Sequence, residues 1–272
     1  MPHVLRPLSL GQLLDETFNI YKQNFVLFIG ISAIPNLALL LLKLLLIGTS
    51  VINNSRTDAL NTLVVLLVTI LGAVFVSSIV TAATTFGVSD VYLDIPTSMT
   101  ACFSRVSGKA LRVIYTSFLV GLIIGFGTLL CVIPGIYLAG MYGLAIPAVV
   151  LEDITASDSL GRSSALTKNS VGRIIVIYFL TTIFAAIMVT ILNVAGLSIG
   201  ATALHGVRTL SGSMLQEVTA TLGTILFGPV TAIALTLAYY DQRVRNEAFD
   251  ITHMMSLMGV PESLPATPPP IS

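Results

Sequence analysis

Residues 133–168 read IPGIYLAGMYGLAIPAVVLEDITASDSLGRSSALTK. A glycine-thinned apolar run gives way at Leu151 to a polar stretch carrying acid and base, and that change of solvent decides how the chain is read. Pro134 and Gly135 are expected to close a tight turn, because proline cannot continue a helix and glycine tolerates turn geometry. Residues 136–151 then form a short membrane helix: about 16 residues rise about 24 Å, less than the roughly 30 Å of hydrocarbon. Pro147 within it deprives the Gly143 carbonyl of its helical donor, and in lipid a neighbour or a water must take that place. A role in packing is favoured over a kink that serves a cavity. Past Leu151, Thr155 and Asp158 match a helix-capping pattern, so a polar helix is expected from near Ala156, with Asp158 and Arg162 paired four residues apart. Glu152 and Asp153, at the membrane exit, are placed to meet Arg162 or arginines of another segment on the same side.

The same alternation extends outward along the chain. Apolar segments at about 25–47, 63–86, 111–133, 136–151, 174–197 and 218–240 make the expected fold an all-α, polytopic bundle of six transmembrane helices with amphipathic interfacial helices. Residues 1–258 form one membrane domain, and the proline-rich 259–272 is expected to be a disordered tail. Composition agrees: 55% of residues are hydrophobic and 10% charged, with mean hydropathy +0.94, where soluble domains carry about 25% charge. Thirteen basic residues balance thirteen acidic ones and there is no tryptophan, which argues against nucleic acid as a partner. Cys102 and Cys131 lie far apart with no CxxC, so neither a disulfide framework nor a zinc site is expected, and no cofactor is indicated. The apolar run that starts near Phe25 lacks a small-residue cleavage site and is not read as a signal peptide.

Basic residues set the orientation. With the N-terminus inside, Arg6, Lys22, Arg105, Lys109, Arg112, Arg162, Lys168, Arg173, Arg243 and Arg245 are all cytosolic, and only Arg56 and Arg208 fall in outer loops. Lys43 reaches the outer interface along its own stem. The expected location is the plasma membrane with both termini cytosolic. Residues 9–24 form an amphipathic helix with Leu10, Leu13, Leu14, Phe18 and Tyr21 on one face, started by a Ser9–Gln12 capping box. Lying in the membrane interface and packing on the protein's own cytosolic face stand as equal alternatives for it. A polar helix leading into a span recurs near residues 95–112 and again after Leu151; the spacing differs between copies, so the recurrence is read as shared architecture, as any cytosolic entry to a span favours arginine and tyrosine, with internal duplication the alternative.

Gly121 and Gly125 form a GxxxG motif on the third span, expected to pack closely on the fourth or to serve self-association. In the last span and beyond, Asp241 with Arg245 and Arg243 with Glu247 are spaced to pair along a helix leaving the membrane. Arg105, Lys109, Arg112, Arg162, Lys168, Arg173, Arg243 and Arg245 are the candidates for lipid headgroups or a docking partner, each basic residue adding about 1 kcal/mol at an anionic surface. For the acids Glu152, Asp158, Asp241 and Glu247 a structural ion-pair role is preferred to catalysis, because no histidine or nucleophile accompanies them. His3, His205 and His253 are too dispersed to share a site.

LSLGQLLDETFNIYKQNF at the N-terminus, IPGIYLAGMYGLAIPAVVLED followed by SLGRSSALTK in the centre, and YYDQRVRNEAFD near the C-terminus together resemble the glycerophosphoryl diester phosphodiesterase membrane-domain family of bacteria and archaea. The likeness spans residues 8–251. It implies a six-helix module associated with phospholipid metabolism, of the kind that stands alone, and no hydrolase activity comes with it. The expected function is therefore a non-catalytic membrane module that binds lipid or a protein partner through its cytosolic helices. The alternative is an uncoupled transporter for a neutral or lipid substrate, prompted by Pro35, Pro147 and Pro229 within spans. An intramembrane enzyme is the third reading.

Overall fold

The computed structural model describes residues 8–52, 59–203 and 210–247. Ten α-helices and no strand are found among them: α1 (Leu10–Gln23), α2 (Phe25–Ile52), α3 (Ala59–Tyr92), α4 (Met99–Ser107), α5 (Ala110–Leu130), α6 (Val132–Tyr142), α7 (Ala145–Leu151), α8 (Ala156–Thr167), α9 (Val171–Ala203) and α10 (Leu210–Glu247). Six stretches are long and apolar enough to cross a membrane, α6 and α7 together making the fourth. The protein is an all-α polytopic bundle. Arg6, Arg56, Arg208, the three histidines and the 259–272 tail lie outside the described residues.

Each short polar helix begins on a hydroxyl cap. Ser9, Ser98 and Thr155 accept hydrogen bonds from the backbone N–H groups of Gln12, Ala101 and Asp158 at 3.2–3.3 Å, and at Ser9 the Gln12 side chain returns the bond to complete a capping box. The short helices α1, α4 and α8 directly precede the spans α2, α5 and α9 and gather at one end of the bundle, called here the capped end. Helix α1 buries Leu13, Thr17, Ile20 and Tyr21 against α10, α9 and α2. Its apolar face is therefore covered by protein, which decides between the two alternatives left open by its pattern.

The buried core lies toward the capped end. One cluster joins Leu13 and Ile20 to Phe28, Tyr92, Leu144, Leu166, Ile177, Leu237 and Tyr239. A second sets Ile31, Ala82, Ala83 and Phe86 against Cys102, Val106, Val113, Val149 and Val150. Farther along the spans, large apolar residues such as Leu41, Leu45, Leu71, Phe126, Leu130 and Ile191 are exposed, as suits helices whose outer solvent is hydrocarbon.

The turn between the third and fourth spans differs from expectation. The break falls at Cys131, which is extended at φ −167° and ψ 146°, and Pro134 and Gly135 lie inside α6. Proline fits there because the first backbone N–H groups of a helix have no intrahelical partner to lose. Pro147 occupies the same position in α7, which restarts after Leu144, so it opens a helix instead of kinking one. At this break the Met141 carbonyl accepts hydrogen bonds from Ser163 at 2.8 Å and Thr167 at 3.2 Å. Two hydroxyls of α8 thus supply what hydrocarbon cannot. Within residues 198–216, α9 continues as far as Ala203 and α10 begins at Leu210.

Candidate functional site: the ion-pair clamp and the lipid-facing groove

Acids placed at the exits of the spans collect the basic residues of the capped end in four groups. Asp90, near the end of α3 and 3% exposed, accepts a two-pronged contact from Arg105 of α4, whose guanidinium also lies 4.8 Å from the centre of the Phe86 ring. The carboxylate beside it raises the Arg105 pKa above its ordinary value. Burial raises the Cys102 thiol on the same helix.

Asp153 forms the second group. Lys109 and Arg112, at the start of α5, approach its carboxylate at 3.2 and 2.5 Å, while Lys109 also donates to the Val150 carbonyl at 3.2 Å. Hydrogen bonds from Lys109 and then Arg112 hold the Asp153 carboxyl below the usual carboxylate range. Asp153 sits at φ 55°, a left-handed conformation that aspartate tolerates better than most side chains.

In the third group Arg162 of α8 donates through Nε to both oxygens of Glu152, at 2.9 and 2.7 Å, and reaches Glu247 at the end of α10 at 2.8 Å. Both carboxylates, Glu247 first, raise its pKa. Tyr239 donates to Glu152 at 2.5 Å, and Arg243 lies 3.2 Å from Glu247. The expected Asp158–Arg162 pair is not formed. Asp158 instead takes the Thr155 hydroxyl at 2.6 Å, so its carboxylate stays at the cap.

Asp241 centres the fourth group. With its side chain fully buried it meets Arg173 at 3.1 Å and Arg245 at 3.0 Å, and accepts the Leu8 backbone N–H at 2.8 Å. Arg173 and Arg245 both donate to the Leu8 carbonyl. The start of the described chain is thereby tied to the last span. Of the eight candidate docking cations, seven face an acid, and Lys168 is exposed with no acidic partner among the described residues.

The glycines divide differently from expectation. A Cβ on Gly121 or Gly125 would meet nothing within 4 Å, so this motif does not pack on the fourth span. That contact belongs to Gly127 and Gly135: a Cβ on Gly127 would lie 3.2 Å from the Gly135 Cα, and one on Gly135 would strike Thr128, its Cα at 2.8 Å. Gly121 and Gly125 instead floor an open groove of about 420 Å³ between α3 and α5, walled by Val74, Phe118, Leu122, Phe126 and Leu129. The Ser117 hydroxyl at its edge is buried without a hydrogen-bond partner among the described residues.

Sequence reading missed Asp90, Tyr239 as a partner of Glu152, and the pair between Lys43 of α2 and Glu217 of α10 at 3.0 Å. A signal for two of these existed. Asp90 is an acid closing a long apolar run, and Lys43 and Glu217 are isolated opposite charges on two apolar helices. No metal-holding group of three histidine, cysteine, aspartate or glutamate side chains occurs among the described residues. No family model, curated protein or solved structure matches the chain.

Proposed function

We propose that this chain is a non-catalytic integral membrane module, lying in the plasma membrane with its capped end in the cytosol, that holds lipid on its membrane-embedded surface. The observation that carries the reading is the groove between α3 and α5. It is open, apolar and floored by two glycines with nothing above them, a shape suited to acyl chains. The cytosolic cations, by contrast, are matched by acids of the same end. A matched arginine offers an anionic headgroup little net field, so the clamp is read as the device that locks α1, α4 and α8 onto the spans. The resemblance to the glycerophosphoryl diester phosphodiesterase membrane-domain family fits a lipid-linked role of this kind.

The test is native mass spectrometry of the protein released directly from its own membrane. Retained lipid is expected to fall several-fold when Gly121→Leu and Gly125→Leu fill the groove, and to stay unchanged in the folded fraction of Arg162→Ala, Arg243→Ala and Arg245→Ala. Loss in the arginine variants with retention in the groove variants would return the lipid to the capped end. Passage of a neutral substrate is a second reading, favoured by a mostly apolar crevice with a few polar groups between α2, α3 and α10.

A further inference from the structure

The crevice between α2, α3 and α10 encloses about 280 Å³; its wall is mostly apolar, with Ser32, Asn36, Lys43, Thr81, Thr221 and Thr224 among its polar members. At about 1.5 Å per residue from Phe25, it runs from about 10 Å along α2 at Ser32 to about 27 Å at Lys43. It therefore spans the middle of the membrane depth and reaches toward the end away from the capped end. Polar groups are costly there and, where present, face a protein interior or a path for a ligand. Lys43, a charged residue of the lining, closes the far end with its ammonium 3.0 Å from Glu217, which lies at the rim just beyond the lining, one turn before Thr221 on α10, the two side chains 22% and 33% exposed. Deeper in, the Asn36 amide donates to the Ser32 carbonyl at 2.7 Å, while its own side-chain oxygen receives no donor among the described residues. Pro35 beside Asn36 and Pro229 beside Gly228 lie within α2 and α10. Each denies a helical donor to the carbonyl four residues back, at Ile31 and Ile225.

We infer that this crevice binds a zwitterionic group, with Lys43 taking an anionic oxygen, Glu217 taking an ammonium, and Asn36 with the threonine hydroxyls taking neutral polar atoms. The charge pattern selects the class. A simple anion would gain Lys43 and be repelled by Glu217, and a simple cation would meet the reverse. A neutral molecule would leave the pair as it stands. A zwitterion alone exchanges one internal ion pair for two intermolecular ones, and neither charge is left alone in a low dielectric. The volume lies just below the roughly 300 Å³ where pockets for drug-sized ligands begin, which suits a headgroup or a molecule of amino-acid size. Two sources share this chemistry: the phosphoethanolamine headgroup of a lipid, and a free zwitterion in solution. The crevice is separate from the α3–α5 groove, so either site can fail alone.

The full chain in nanodiscs of phosphatidylglycerol, with phosphatidylethanolamine added in steps, tests the lipid source by native mass spectrometry of the bound lipid. Thermal stabilisation by soluble glycerophosphoethanolamine and by glycine tests the free one. The wild type is expected to prefer the zwitterionic ligand by about tenfold, the effect of one charge-assisted hydrogen bond. Glu217→Gln should move the preference to phosphatidylglycerol by a similar factor, and Lys43→Gln should weaken both lipids. Thr224→Leu narrows the crevice without touching the pair and should abolish binding at unchanged thermal stability, which separates ligand loss from misfolding. A response in only one arm identifies the source. Equal retention of both lipids with no response to either soluble zwitterion overturns the inference, as does a preference that neither charge variant moves.

Discussion

Asp153 carries three demands at one position: a left-handed backbone at φ 55°, a carboxylate between Lys109 and Arg112, and the exit from α7. Asp153→Asn keeps the backbone tolerance and removes the charge, whereas Asp153→Gly relieves the backbone and removes the side chain. Because the folded-state pKa is lowered from 3.8, the linkage is fully present above that ordinary value and is lost as pH falls through the lowered one. The stability gap between wild type and Asp153→Asn should therefore be flat near neutrality and close in acid, which thermal unfolding in detergent across pH would measure. A gap that widened in acid would contradict the pairing. The glycines give a second contrast. Gly135→Ala should lower stability by about 1–3 kcal/mol, since α5 and α6 must move apart, while Gly121→Ala should change it by no more than about 0.5 kcal/mol. The motif visible in the sequence is the inert one. Spacing within one helix reports which residues share a face, but not which face a neighbour covers, and Gly127 and Gly135 lie on different helices.

Among elements, α8 is held by partners from several others. Arg162 joins Glu152 and Glu247, Ser163 and Thr167 hold the Met141 carbonyl, and Asn246 donates to the Leu166 carbonyl at 2.9 Å. Arg162→Met removes the closer of the two cations the carboxylates share, leaving Arg243 at 3.8 Å from Glu152 and 3.2 Å from Glu247. Breaking a buried pair costs about 3–5 kcal/mol, and partial exposure of these groups reduces the expected loss to about 1–3 kcal/mol. Amide hydrogen exchange should quicken in α8 and in the last turn of α10, with α9 unchanged. Replacing Ser163 by alanine and Thr167 by valine together removes both hydroxyls from the Met141 carbonyl and should cost about 1–3 kcal/mol, read as faster exchange around the α6–α7 break. The caps of α1 and α8 and the presence of six apolar helices were legible, because a hydroxyl before an amphipathic run and some twenty apolar residues are local signals. The α6–α7 break was not. Pro147 announced it, but only the placement of α8 shows which hydroxyls reach the Met141 carbonyl there. Asp158 misled for a related reason: the arginine four residues on was claimed by acids from two other elements, and the cap claimed the aspartate.

Across the whole molecule the helices differ in height. Helices α2, α3, α9 and α10, of 28, 34, 33 and 38 residues, exceed the roughly 20 that a membrane crossing needs. Helix α5 has only 21. At about 1.5 Å per residue it rises about 31 Å, enough to cross the hydrocarbon and no more. The α5–α6 tip is accordingly apolar and exposed at Leu129, Leu130, Val132 and Ile133, and Cys131 sits exposed between them at the far membrane boundary. Cys102 is on the buried face of α4 at the capped end, its thiol pKa raised and its reactivity correspondingly low. The two native cysteines thus mark opposite ends of the bundle, one reactive and one silent. With the capped end in the cytosol, a membrane-impermeant maleimide applied to intact cells should modify Cys131, and Cys131→Ser should remove the signal entirely. Modification that needs the membrane to be opened first would reverse the orientation. The clamp of arginines and acids would then lie outside, against the retention of basic residues on the cytosolic side.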